Sequence, residues 1–173
     1  MNVRRMPSAS GYGGGMSRYL KPFVLLAAGA AIGAGAVSVA TSAPTATRHA
    51  LAAVNNPIGA KGRTLGLQRV VVPAGAVLAL HHHTGTQIAY IDAGTLTYTV
   101  KKGSVSVYKG EADGTQKLAR RITAGHTALI QQHQWLVEQP NVVHMAANRG
   151  NGYVEIHLAN LLPIGDPPSV PNR

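Results

Sequence analysis

Residues 64 to 160 are predicted to form an all-β domain, a small sandwich or barrel. Three observations predict it. Short runs rich in Val, Ile, Leu, Thr and Tyr recur along the segment, punctuated by Gly-centred turns. Helical periodicity is almost absent from the same segment. A His-x-His pair, His81 and His83, lies in one of those runs, and in a strand it places both imidazoles on one face.

Taken in order, the first strand is expected over 65–72, ended by Pro73-Ala74-Gly75. The run 76–83 follows and carries the histidines, with His82 facing away from His81 and His83. Segments 87–91 and 95–100 come next, the second alternating Leu96, Tyr98 and Val100. Lys102-Gly103 is a turn before 104–108, and 110–114 (GEADG) is a turn before 117–123. Segments 127–131, 142–147 and 153–158 complete the series. The tail, 161–173, carries four prolines and cannot extend a central strand. Residues 41–63 are rich in Ala, Thr, Pro and Gly and read as a linker, with a short helical turn at 48–54 and His49 as an exposed loop residue. Leu78 and Leu80 are expected on the outer face, opposite His81 and His83, where a partner subunit in a homodimer would cover them.

The N-terminus has a different character. Residues 1–22 carry only positive charge, and 23–40 (FVLLAAGAAIGAGAVSVA) is an uncharged apolar run of 18 residues. A basic region, an apolar region and small residues at Ser38 and Ala40 fit a secretory signal cleaved after Ala40. The run also reaches the lower end of transmembrane length, so a retained membrane anchor is the alternative. In both cases the basic end stays inside and the histidine domain is exported, secreted, periplasmic or tethered.

Composition excludes several functions. There are no cysteines, hence no disulfides, thiolate metal site or cysteine nucleophile. The balance of 16 basic and 6 acidic residues gives +10, but Arg4, Arg5, Arg18 and Lys21 precede the apolar run, leaving +6 on the remainder. Those remaining bases are scattered with few aromatics between them, which speaks against a nucleic-acid surface. No Gly-x-Ser-x-Gly, phosphate loop or HExxH motif occurs, and carboxylates are too sparse for a glycosidase pair.

The histidines carry the chemistry. Two imidazoles converging from one strand are half of a transition-metal site, and His144 in VVHMAAN is the best offer of a third donor. The pattern Gly75-x5-His81-x-His83-x3-Gln87-x6-Gly94 resembles the first cupin motif, with Gln87 where that family usually carries Glu. His144-x3-Asn148, preceded by Pro140, resembles the end of the second motif, without the usual Pro-x-Gly and after a rather long interval. The resemblance implies a small double-sheet jelly-roll barrel over 64–160. It also implies a divalent transition metal (Fe, Mn, Ni, Cu or Zn) held by His81, His83, Gln87 and His144. Asn148 would then brace a turn.

Gln87 is the sharpest departure. An amide oxygen is neutral and a weaker ligand than the carboxylate it replaces, so the ion would keep its full double charge and favour an anionic ligand in an open position. The alternative is that Gln87 only hydrogen-bonds a water or a histidine beside the site. Glu138 is the carboxylate nearest to His144 in sequence and the candidate to restore the missing negative charge or to serve as a base, but Pro140 and Asn141 intervene, so a shared face does not follow. His126 and His133 read as turn and loop residues, and His157 with Glu155 as a surface pair. Trp135 is expected over a core edge or at the pocket rim, and Ala79, Ala89, Ile91, Tyr90 and Tyr98 along the pocket wall. The expected function is a metal-dependent, dioxygenase-type oxidoreductase acting on a small organic molecule. The alternatives are a non-catalytic module that binds a small molecule or metal, and a structural domain with a vacant site.

Overall fold

The structure, a computed structural model, describes residues 42–110 and 114–172. The expected signal or anchor at 23–40 lies outside the described residues, as does the middle of the 110–114 turn. Among the described residues twelve strands run β1 (Thr47–Asn55), β2 (Arg63–Val72), β3 (Val77–His82), β4 (Thr86–Ala93), β5 (Thr95–Lys102), β6 (Ser104–Gly110), β7 (Gln116–Thr123), β8 (Thr127–Gln131), β9 (Gln134–Glu138), β10 (Val143–Ala147), β11 (Val154–Pro163) and β12 (Val170–Pro171). A seven-stranded sheet has the order β1-β2-β11-β4-β9-β6-β7, and a five-stranded sheet the order β12-β3-β10-β5-β8. Every pairing is antiparallel.

From β2 onward, every connection carries the chain from one sheet to the other, except the β6–β7 hairpin. Several of these corners hold glycines with positive φ, among them Gly75 (79°), Gly94 (79°) and Gly103 (86°). At Gly94 the requirement is also steric, because an added Cβ would lie 2.6 Å from the Tyr153 carbonyl oxygen. Constant switching keeps the strands short and gives the jelly-roll arrangement of two facing sheets. Of the expected double-sheet jelly-roll barrel, the two sheets are present and neither closes on itself: the outer strands are β1 and β7 in one and β12 and β8 in the other. Between the sheets lie the alternate residues of each strand, including Val70, Val72, Ile91, Leu96, Val100 and Leu136.

Three segments differ from the sequence expectation. Residues 47–55 are not a linker with a helical turn: they pair with β2 as an exposed edge strand that carries His49. Exposure explains why no apolar alternation marked it. Strand β9 was not anticipated; it is five residues long and enters from the His133 turn, whose φ is 66°. The Pro-rich tail is no free end either, since Val170 and Pro171 pair with His82 and His81 at the sheet edge.

Strand β3 also departs from simple alternation. His81 pairs with His144, and Leu78 with Ala146, so three steps on β3 oppose two on β10. The extra residue is a bulge, which turns Leu78 to the same side as His81. The expectation that Leu78 faces outward is therefore corrected, and with it goes its share of the argument for a homodimer.

Candidate metal centre

His81 and His83 project inward from β3 and its end, and His144 joins them from β10. Their ligand nitrogens all lie within 4.8 Å of one another. The ring centroids are 4.3 Å apart for His81–His144, 5.0 Å for His81–His83 and 5.1 Å for His83–His144. His83 and His144 are buried, and His81 is half-buried at the mouth.

Each ring is fixed by a backbone carbonyl. His81 Nδ1 meets the Ala79 oxygen at 2.6 Å, His83 Nδ1 the Pro168 oxygen at 2.6 Å and His144 Nδ1 the Val142 oxygen at 3.1 Å. A carbonyl oxygen only accepts, so all three Nδ1 atoms carry the proton and the Nε2 lone pairs are left to face the interior. This is the outer-layer arrangement that orients imidazoles on a metal. The residues present fit a divalent transition metal.

The Pro168 contact assigns the tail a role that its sequence did not reveal. Asn172 adds to it, its N–H donating to Leu80 O (2.9 Å) and its side-chain Oδ1 meeting His82 Nδ1 (2.7 Å). Removing 164–173 is expected to weaken metal binding by about 10- to 100-fold, the usual cost of losing a ligand's hydrogen-bond partner. Titration with a chromogenic chelator measures it, and unchanged affinity would show that Pro168 is dispensable.

Glu138 is the group the sequence left uncertain. On β9 it is the register partner of Gln87 on β4, and it is 2 % exposed. Its Oε2 lies 3.3 Å from His83 Nε2 and its Oε1 3.4 Å from His144 Nε2. Tyr98 donates its hydroxyl to Oε1 at 2.7 Å, and the Gln87 amide donates to Oε2 at 2.7 Å. The same amide nitrogen is 3.0 Å from His83 Nε2, while the Gln87 oxygen is buried without a partner. Tyr98 also stacks on His144, centroids 5.0 Å apart. The signal available in the sequence was the alternation of Leu136 and Glu138 in QWLVEQP, had the segment been read as a strand.

Electrostatics follow from burial. Burial, aided by the charge of His144, pushes the His81 imidazole down to about 4. His144 is lowered too, chiefly by burial. Burial alone would raise the Glu138 carboxyl, but His144, His83 and the Tyr98 hydroxyl outweigh it and hold its pKa at about 2. Burial first, then the Glu138 charge, pushes Tyr98 well above its ordinary value.

A pH dependence follows for the metal-free protein. Between an ordinary imidazole pKa of about 6.5 and the folded value of about 4, unfolded His81 binds a proton that folded His81 does not. Stability therefore falls as pH drops through that window, because the unfolded state binds more protons. Glu138 adds a further loss as pH falls from its ordinary 4.5 toward about 2. Urea midpoints in EDTA at pH 7.5, 5.5 and 4 should decline in that order; a flat profile would contradict the burial of His81.

The remaining assignments sort by face. Ala89 and Tyr98 line an inner cavity of about 30 Å³ together with His81, Gln87, Glu138 and His144. Ala79 instead borders an outer groove of about 160 Å³, and Ile91 is part of the packed core. Tyr90 is not a wall residue: alternation turns it outward, where Tyr90, Trp135 and Tyr108 stack across three strands. Asn148 braces the turn as expected, donating to Val72 O (2.8 Å) and Gly152 O (2.7 Å). His126 lies in the turn before β8, and His133 lies in the β8–β9 turn against the Tyr90 hydroxyl. Asp92, Glu155 and His157 also cluster, but both Glu155 oxygens are held by Arg69 at 2.6 Å, an ion pair that occupies the carboxylate.

Two facing antiparallel sheets, with histidines from β3 and β10 converging between them, form the double-sheet jelly-roll arrangement that the motif resemblance implies. Among solved structures, the chain is similar to a cupin 2 domain-containing protein from Halorhodospira halophila, at 15 % identity and TM-score 0.47 over 74 % of this chain and 71 % of that one. It is also similar to a cupin domain from Bordetella pertussis Tohama I, at 12 % identity and TM-score 0.42 over 70 % and 97 %. A third is the ribosomal oxygenase YcfD of Escherichia coli, at 13 % identity and TM-score 0.38 over 56 % and 23 %. No family model and no curated protein matches the sequence.

Proposed function

We propose that this chain is an exported cupin that binds one divalent transition metal ion through His81, His83 and His144 and oxidises a small organic molecule beside it. The observation that carries this reading is the common tautomer: three backbone carbonyls hold the Nδ1 protons and leave three Nε2 lone pairs converging in a buried space. Bound there, Fe, Mn, Ni, Cu or Zn would supply Lewis acidity and, for the redox-active ions, electron exchange with dioxygen. The protein's own part is to fix the imidazoles, keep Glu138 ionised and exclude bulk water with Val70, Leu96, Leu136 and Ile156.

The inner cavity of about 30 Å³ has space for little more than water. An organic molecule therefore lies in the outer groove of about 160 Å³, which shares Arg48, Leu78 and His81 with the inner cavity. Arg48 there suits a ligand with an anionic group. Export rests on the charge and apolar pattern of residues 1–40, with cleavage after Ala40 or a retained tether as its two forms. The narrow inner cavity favours a second reading, a non-catalytic metal-binding module.

Metal analysis of residues 41–173, purified without a histidine tag and reconstituted with each of the five ions, is the test. Dioxygen uptake is then followed with a panel of small carboxylic acids. About one equivalent of metal with substrate-dependent uptake supports the enzyme. Metal without uptake selects the module, and no metal overturns both.

A further inference from the structure

Resting on the metal reading above, we infer that the carboxylate of this centre comes from the neighbouring strand: Glu138 on β9 is the fourth ligand, and Gln87 on β4 is its positioning residue.

The distances distinguish the two roles. Donor atoms about 2.0–2.1 Å from a shared ion lie about 2.8–3.4 Å from one another, the shorter values on octahedral edges and the longer on tetrahedral ones. Glu138 Oε2 to His83 Nε2 is 3.3 Å, and Glu138 Oε1 to His144 Nε2 is 3.4 Å. Both nitrogens have their Nδ1 protons committed to the Pro168 and Val142 carbonyls, so in the neutral rings each Nε2 presents a lone pair toward a carboxylate oxygen. An imidazole Nε2 facing a carboxylate oxygen at these separations needs positive charge between them, a proton on the ring in the metal-free protein and the ion once it is bound. Gln87 shows the opposite polarity. It donates an N–H to Glu138 Oε2 (2.7 Å), its nitrogen lies 3.0 Å from His83 Nε2, a contact that an ion on that lone pair replaces, and its oxygen has no partner. An amide donating in that way holds the carboxylate in place; it offers no electron pair to an ion.

The register explains the exchange of residue types. Gln87 and Glu138 are cross-strand partners at a buried position. Carboxylates at both would repel at close range with no water to screen them. A chain that carries its acid at 138 therefore needs a neutral hydrogen-bond donor at 87, and glutamine keeps the size of the acid it stands in for. Tyr98, donating to Oε1 at 2.7 Å, holds the other oxygen. The centre keeps three imidazoles and one carboxylate, with the negative charge displaced by one strand.

The test compares wild type, Glu138→Gln, Gln87→Ala and the exchanged pair Gln87→Glu/Glu138→Gln in residues 41–173, a compact unit with its own core. Affinity for Co(II) and Cu(II) is measured by chelator competition, and the Cu(II) EPR spectrum reports the donor set. Melting midpoints in EDTA confirm that each variant is folded. Expected is a loss of affinity of about 100-fold or more in Glu138→Gln with an altered spectrum, and about 10-fold in Gln87→Ala with the wild-type spectrum. The exchanged pair should recover most of the affinity, which also guards against a folding failure of Glu138→Gln alone. Wild-type affinity and spectrum in Glu138→Gln, with loss of metal in Gln87→Ala, would overturn the assignment. Wild type that takes up no metal would instead overturn the metal reading itself, so the two failures are distinguishable.

Discussion

His144→Ala is expected to abolish metal uptake, taking the protein from about one equivalent to less than about a tenth under the same loading. His144 is the donor brought from the second strand. Without it, His81 and His83 remain as a pair on β3 and its end, with no imidazole across the sheet to oppose them. The loss has a thermodynamic signature independent of turnover. An ion at about a thousand times its dissociation constant stabilises the native state by about 4 kcal/mol. For a domain of this size that raises the melting midpoint on the order of 10 °C. Wild type should show that rise on metal addition and lose it in EDTA, while His144→Ala should melt at one temperature in both. A metal-dependent rise that survives in His144→Ala would mean that the ion sits elsewhere. The variant also removes the ring on which Tyr98 stacks, so its EDTA midpoint should lie somewhat below that of wild type.

Gly85→Ala should have the largest effect on the fold. Gly85 lies between His83 and Gln87, at the corner where the chain leaves the five-stranded sheet for the seven-stranded one. A Cβ there would collide with the carbonyl oxygen of Leu161 and crowd the Cα of Leu162 at 3.0 Å. These are backbone atoms of β11, a strand held on both sides by β2 and β4, so they have nowhere to retreat. The expected cost is about 3 kcal/mol or more, at the upper end for overpacking, or a fall in melting midpoint of about 10 °C. Displacing this corner also moves His83 relative to Gln87, so metal affinity should fall with stability. Gly152→Ala, where nothing lies within 4 Å of an added Cβ, is the control and should be close to neutral. Equal midpoints for the two variants would show that β11 yields at Leu161.

Much of the three-histidine cluster was legible from residue type and spacing. Period-two alternation set His81 and His83 on one face, and the spacing from Gly75 to Gly94 placed them in the arrangement of a known motif. His144 followed from that resemblance, and the turn-forming glycines announced short strands. These signals are local, because they depend on the backbone geometry of a few adjacent residues. What the sequence did not disclose is non-local. Glu138 lies 51 positions from Gln87, and only the ladder between β4 and β9 makes them neighbours. The inward turn of Leu78 depends on a bulge that pairing with β10 imposes, and no pattern within β3 announces it. Strand β1 was hidden because all of its nine residues are exposed, and the tail because prolines argue against a strand anywhere except an edge. By itself the sequence determined an all-β domain with three histidines able to meet. The tertiary structure alone decided which carboxylate meets them, because ligand geometry is set by which strands pair and in what register.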